Sequence, residues 1–192
     1  KLTKELGGLL YLGQSEYEAG VMAGERIKKL NITKAVCANH EVGNVSLDDR
    51  CAGFAKGLGV DVPVLNGVMD PTEMKNRIIA YLKTNADTQF VLTVGIGGAE
   101  PGLVALEELG LTGKTKIGTF DLSPTILQAT ADGKMEWGID AQQYAMGYIP
   151  VVMFDLWKKY KIAPIADYPT GPGFVTGETA ASVIELAKQG KR

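Results

Sequence analysis

Two periods alternate along the chain. Short runs of β-branched and apolar residues recur at Leu9–Gly13, Lys34–Asn39, Val62–Gly67, Phe90–Gly95, Lys116–Asp121 and Trp137–Ala141. Between them the apolar positions take helical spacing, over Glu16–Leu30, Leu47–Leu58, Pro71–Thr84, Gly102–Leu109 and Pro124–Asp132. Strand then helix, repeated without a hairpin signal, predicts βαβ units and a parallel sheet. Ala35, Val36 and Cys37 are apolar in succession, as are Val91 and Leu92. Strands of that kind are covered by helices on both faces. Punctuation supports the boundaries. Ser46 reads as the N-cap of the helix starting at Leu47, while Asp70–Pro71 and Ser123–Pro124 each set a cap before a proline at the first helical position. Gly59, Gly110 and Gly133 read as helix stops.

After Ala141 the pattern changes. Tyr144–Tyr160 reads as a long helix with Met146, Ile149, Val152, Met153, Leu156 and Trp157 around much of its circumference. A turn-rich stretch follows, with Pro164, Pro169, Gly171, Pro172 and Gly173, and then a last helix over Gly177–Lys188. These two helices need a sheet to cover, and no further strands follow them. Leu9–Gly13 likewise reads as the end of an element whose neighbours precede Lys1. Two architectures fit: one complete α/β lobe with pieces of a second, or a single doubly wound domain whose last helices pack on the same sheet.

Composition narrows the function. Of 192 residues, 45% are hydrophobic and 22% charged, an ordinary balance for a globular chain. Twenty basic against 22 acidic residues give a net charge of -2, which offers no surplus to neutralise a phosphate backbone and argues against nucleic acid as a partner. One histidine and two cysteines exclude a Cys/His zinc ribbon and a disulfide-dense scaffold. The longest apolar candidate for a membrane span, Met146–Trp157, contains Gly147, Pro150 and Asp155. The chain opens at Lys1 with neither a signal peptide nor an initiator methionine, as a processed or truncated product would.

An open parallel sheet binds ligands beyond the carboxyl ends of its strands. The second strand is followed by Asn39, His40, Glu41 and Asn44; the third by Asn66, Gly67, Met69 and Asp70; the fourth by Gly95, Gly97 and Gly98; the fifth by Asp121; the sixth by Asp140 and Gln142. Carboxylates, amides and one imidazole along an edge make directed hydrogen bonds to hydroxyls. Each has a plainer reading: Asp121 as a turn or cap residue, and Arg50 as a surface ion pair with Asp48 and Asp49. His40 is a poor metal ligand, since Glu41 is its neighbour rather than a helically spaced partner. Trp137 reads as core or cleft wall. Known catalytic patterns fail. Glu100 stands where a GxGxxG loop needs its third glycine, there is no GxxxxGK[ST] or Gly-x-Ser-x-Gly, and nothing points to paired catalytic carboxylates. No enzyme and no cofactor is expected. Cys37 lies in a strand and Cys51 in the following helix, close enough to bond in an oxidising compartment or to stay as two buried thiols.

Several stretches together resemble a known family, the type I periplasmic sugar-binding proteins that serve ABC transporters and are related to ribose-binding protein. They are Tyr11-Leu-Gly-Gln-Ser-Glu-Tyr-Glu-Ala-Gly20, Ala35-Val-Cys-Ala-Asn-His-Glu-Val-Gly-Asn44, Asp49-Arg-Cys-Ala-Gly-Phe54, Ile117-Gly-Thr-Phe-Asp121, Ala131-Asp-Gly-Lys134, Gly138-Ile-Asp-Ala-Gln-Gln-Tyr144 and Thr170-Gly-Pro-Gly-Phe-Val-Thr176. The resemblance implies a type I periplasmic-binding-protein fold, α/β, with one complete doubly wound parallel-sheet lobe plus part of a second. Residues 1–13 would end the N-terminal lobe at the first hinge crossing and 14–139 would form the C-terminal sugar-binding lobe. Residues 140–176 would return to the N-terminal lobe, and 177–192 would be the helix after the third crossing near Gly173–Thr176.

Arg50 and Asp121 match the family's sugar-binding arginine and aspartate. Asn39 and His40 occupy a strand exit facing the cleft, and Met69 stands where the family often has an aromatic. The hinge amide falls on Ala141 with Gln142 adjacent, so a one-residue register shift decides it. In this family both cysteine positions tend to occur together, which implies a Cys37–Cys51 disulfide. The implied function is a solute-binding receptor that takes a small sugar or polyol and delivers it to a transporter permease. It would work in the periplasm or, in a Gram-positive source, on a lipid anchor outside the cell. The alternatives are the sugar-sensing domain of a lactose-repressor-like regulator, which shares the fold, and an enzyme with an unrecognised α/β site.

Overall fold

A computed structural model describes residues 2–192. A short helix α1 (Leu2–Glu5) leads to β1 (Leu12–Gly13), and the main lobe then runs α2 (Glu16–Lys28), β2 (Ala35–Asn39), α3 (Val45–Leu58), β3 (Val64–Asn66), α4 (Pro71–Thr84), β4 (Phe90–Thr93), α5 (Ile96–Glu108), β5 (Lys116–Phe120), α6 (Pro124–Ala131) and β6 (Trp137–Asp140). The chain continues through α7 (Gln143–Tyr160), β7 (Tyr168–Pro169), β8 (Gly173–Thr176) and α8 (Gly177–Lys188). Six strands form one sheet in the order β3-β2-β4-β5-β6-β8. The first five are parallel, and β8 closes the edge antiparallel to β6. A separate parallel pair joins β1 to β7.

The strand alternation explains the layers. Ala35, Cys37, Phe90, Leu92, Phe120, Trp137 and Ile139 point to one face, where α2 and α3 cover them. Val36, Ala38, Val91 and Ile117 point to the other, under α4, α5 and α6. Because consecutive strand residues go to opposite faces, a run apolar at every position is needed when both are covered. Trp137 is core: it is buried, with Phe90 stacked on it at 5.8 Å and Phe174 edge-on at 5.4 Å. The chain leaves β2 outward to β3 and then returns to β4 on the opposite side. The point where the winding reverses, between β2 and β4, is where such sheets form a crevice at their carboxyl ends.

Glycine sets the distance between α2 and α3. A Cβ at Gly20 would lie 2.5 Å from the backbone oxygen of Arg50 and 3.0 Å from Cα of Gly53. Larger residues there would push the helices apart, so the backbones pack directly against one another. The Cys37–Cys51 disulfide, with Cα atoms 5.7 Å apart, ties α3 to β2 beneath it.

Asp70 and Ser123 cap their helices through side-chain bonds to Glu73 N and Ile126 N, each before a proline at the helix start. Three expectations are corrected. Asn44, not Ser46, caps α3, by accepting from Ser46 N at 3.1 Å. Helix α5 starts at Ile96 and holds Pro101 inside it, so the Gly97–Pro101 stretch that reads as loop is helical. A further strand does follow Ala141: β8 is the sixth strand of the sheet, and Leu127 of α6, Val175 of β8 and Ala180 of α8 pack together. The last helix therefore has its sheet within this chain. The long one, α7, has only the β1–β7 pair beside it, and not one of its residues is buried. No helix of the described residues is long and apolar enough to cross a membrane.

Candidate ligand-binding site

The carboxyl edge of the sheet gathers its polar groups around Arg50. Helix α3 starts one short turn after β2 and lies across the sheet, so Arg50, in its second turn, reaches over the end of β4. Its side chain is 10% exposed. Nε donates to Glu16 Oε2 at 2.7 Å, and Nη1 donates to the carbonyl oxygen of Val94 at 2.7 Å and to Asp121 Oδ2 at 3.2 Å. The guanidinium carbon stands 4.5 Å from the centre of the Phe120 ring. Burial works against the cation, but the bond to Glu16 and the charge of Asp121 outweigh it and hold the Arg50 pKa above its ordinary value. No described residue accepts from Nη2, which leaves its donors for something else. The ion pair expected with Asp48 and Asp49 is not the one formed; Asp48 bonds Asn39 instead.

Asp121 follows β5 directly, at a φ of 66°. Side chains other than glycine enter that left-handed region seldom, aspartate and asparagine most readily, and such residues gather at functional sites. The backbone is held there by a bond from Asp121 N to Ile139 O at 2.9 Å. Oδ1 accepts from Gln143 Nε2 at 2.9 Å, while Oδ2 takes the arginine. The side chain remains 26% exposed, so lone pairs are still open to a hydroxyl donor.

His40 is nine-tenths buried, its ring resting on the start of α5. A Cβ at Gly95 would sit 2.9 Å from Cε1 of the imidazole, and one at Gly97 2.9 Å from Cδ2. The glycines that fail as a nucleotide loop thus make room for the histidine. Burial pushes the His40 pKa below its ordinary value and Arg50 adds to this, against the opposing pull of Glu41 and Asp121. The neutral ring has one donor and one acceptor, and Nδ1 has no partner among the described residues.

The other candidates fall differently. Both ends of the Asn39 amide are used inside the lobe: Nδ2 donates to Asp48 Oδ1 at 2.8 Å and Oδ1 accepts from Glu41 N at 3.0 Å. Met69 is exposed at the exit of β3, three strands from β5, or roughly 14 Å at ordinary strand spacing. Gln142 takes a left-handed φ of 56° and turns the chain into α7, its N–H donating to Asp140 Oδ1 at 2.7 Å. Its neighbour Gln143 is the amide that touches Asp121. Glu16 and Gln143 were not among the expected residues. Glu16 follows the first strand exit, so extending the survey of strand exits to β1 finds it; no sequence signal separates Gln143 from Gln142.

A doubly wound lobe with charges and amides gathered where its winding reverses has the architecture in which open α/β sheets bind ligands. The chain belongs to the periplasmic binding protein domain family, whose model matches residues 3–158. It is 27% identical over 181 residues to the xylose/arabinose-binding protein XylF of Sulfolobus acidocaldarius, an alignment that takes in 86% of this chain and 44% of that protein. The chain thus spans less than half the length of that relative. A carbohydrate transporter from Acidothermus cellulolyticus, in complex with myo-inositol, superposes with a TM-score of 0.84 at 30% identity, over 98% of this chain and 66% of that one. AraP, an arabinose-binding protein from Geobacillus stearothermophilus, shares the fold with a TM-score of 0.80 at 21% identity, over 91% of this chain and 65% of its own.

Proposed function

We propose that this chain is the sugar-gripping part of an ABC-transporter solute receptor, binding a small sugar or polyol and handing it to a membrane permease. The reaction is binding, not chemistry. Residues 14–139 form the binding lobe, and β8 with α8 rejoin it. Residues 1–13 and the stretch from Gln143 to Thr170 belong to a second lobe that shuts over the ligand. Such a receptor works outside the cytoplasmic membrane, in the periplasm or anchored to the cell's outer face. The sugar-binding relatives support the reading, and so does the Cys37–Cys51 disulfide, which suits an oxidising compartment.

One observation carries it: Asp121, held in a left-handed conformation between Arg50 and Gln143 at the carboxyl edge, keeps part of its carboxylate open beside the unused Arg50 donors. Paired acceptors and donors of this kind match vicinal hydroxyls. His40, neutral and with Nδ1 unpartnered, supplies a further polar contact, and Gln143 takes the place first expected of Gln142. Closure of a second lobe would exclude water and strengthen each bond.

The test is calorimetry on the full-length receptor that carries this chain, with D-xylose, L-arabinose, D-ribose, D-galactose and myo-inositol as probes. At least one probe binds, and Asp121→Ala weakens it by about 100-fold or more, since hydrogen bonds to charged groups contribute about 1.5–3 kcal/mol each. Unchanged affinity in that variant, or no binding of any probe, refutes the proposal. The 192-residue chain spans 44% of the length of its sugar-binding relative, and by itself it binds more weakly than the full receptor, because closure of a whole second lobe strengthens each bond.

A further inference from the structure

We infer that Glu16 is a positioning residue: it sets the Arg50 guanidinium at the ligand site and ties it to the chain crossing at Gln14. The inference rests on Arg50 being a ligand contact, as proposed above.

Oε2 of Glu16 accepts from two segments at once, from Gln14 Nε2 at 3.0 Å and from Arg50 Nε at 2.7 Å. The arginine continues to Asp121, and Asp121 accepts from Gln143. A hydrogen-bond chain therefore runs unbroken from Gln14, just after β1, to Gln143, the first residue of α7. Both ends lie where the backbone leaves the six-stranded lobe, and Arg50 is in the middle.

Packing fixes the Glu16 end independently. Glu16 is the first residue of α2, and one turn on, at Gly20, that helix touches the backbone of Arg50 itself. The two side chains thus project from helices whose separation is locked at the arginine. The electrostatics give the contact a purpose. Arg50 is one cation between two carboxylates, Glu16 on its Nε and Asp121 on its Nη1, and Asp121 is the one proposed above to take the ligand. Glu16 draws Nε away and limits Asp121 to a single bond from Nη1. Without that pull the guanidinium would turn into a two-pronged pair with Asp121, the preferred geometry of an arginine and a carboxylate, and cover the lone pairs that a hydroxyl needs.

Glu16→Gln keeps the shape and one acceptor but removes the charge, and charge-assisted bonds are roughly twice as strong as neutral ones. In the full-length receptor, titrated with the tightest of the five probes above, this variant weakens binding about tenfold, with the thermal midpoint as a check on folding. A double-mutant cycle separates positioning from a general structural role. On an Arg50→Lys background, Glu16→Gln has little further effect if Glu16 acts through Arg50. A tenfold loss that persists on that background overturns the inference. So does full affinity in Glu16→Gln where Asp121→Ala has lost binding, and this outcome leaves the proposed function standing. Binding that survives both Asp121→Ala and Arg50→Ala overturns the proposed function itself.

Discussion

Helices α3 and α7 differ less in sequence than in surroundings. Both carry aromatic and aliphatic side chains. Helix α3 puts Leu47, Cys51, Phe54 and Leu58 into the core over the six-stranded sheet. Helix α7 leaves Tyr144, Tyr148, Val151, Phe154, Trp157 and Tyr160 in solvent, beside a two-stranded pair too small to cover it. A two-stranded unit supplies little apolar surface on its own. An apolar helix face thus states that something must pack on it, and only the strands present decide whether anything does. In the proposed receptor the second lobe supplies that surface.

The contrast between Phe54 and Phe154 breaks the comparison most sharply. Phe54 is fully buried and Phe154 is 60% exposed. Phe54→Ala should cost about 3–5 kcal/mol in urea unfolding of this chain, whereas Phe154→Ala should stay within about 0.5 kcal/mol. Equal losses would mean that α7 is part of the folded lobe after all. The two tryptophans report the same division without mutation: acrylamide should quench Trp157 and spare Trp137, which are 43% and 1% exposed.

Reduction of the disulfide comes next in size. The bridge spans a sequence separation of 14 between β2 and α3. Closing a loop of that length contributes about 3 kcal/mol, by the chain-entropy account. Cys37→Ala/Cys51→Ala should lower the urea midpoint accordingly and remove its sensitivity to dithiothreitol. An unchanged midpoint would show that packing alone fastens α3 to the sheet.

The smallest effect is that of pH. The His40 pKa is lowered in the folded state, so unfolding takes up a proton there. Its contribution is complete above the ordinary histidine value of about 6.5 and is lost as the pH falls from there through the folded-state pKa. His40→Asn should flatten the stability profile on that acidic side and leave the neutral side level. Parallel profiles for the two proteins would remove His40 from the account.

The main lobe was legible because its strands and helices are local patterns. Runs apolar at every position from Ala35 and from Phe90 required a sheet covered on both sides, and Asp70–Pro71 and Ser123–Pro124 marked helix starts to the residue. Strand β8 was not legible. It is four residues long, follows a proline, and pairs with β6 across the whole of α7, so nothing nearby announces it. The first turn of α5 was hidden by glycines and Pro101, residues that break isolated helices but are tolerated where sheet packing holds the helix.

The amino-acid order alone determined the class of fold and the edge where polar groups would gather, because hydrophobic period and residue chemistry act over a few positions. Arg50 and Asp121 stood out only through the family resemblance, since residue chemistry alone read them as a surface ion pair and a turn or cap residue. Which carboxylate steadies Arg50, which of two adjacent glutamines reaches Asp121, and which apolar helix finds a cover were settled only in three dimensions. Each depends on atoms brought within 3 Å from segments tens of residues apart, and no local pattern encodes that distance.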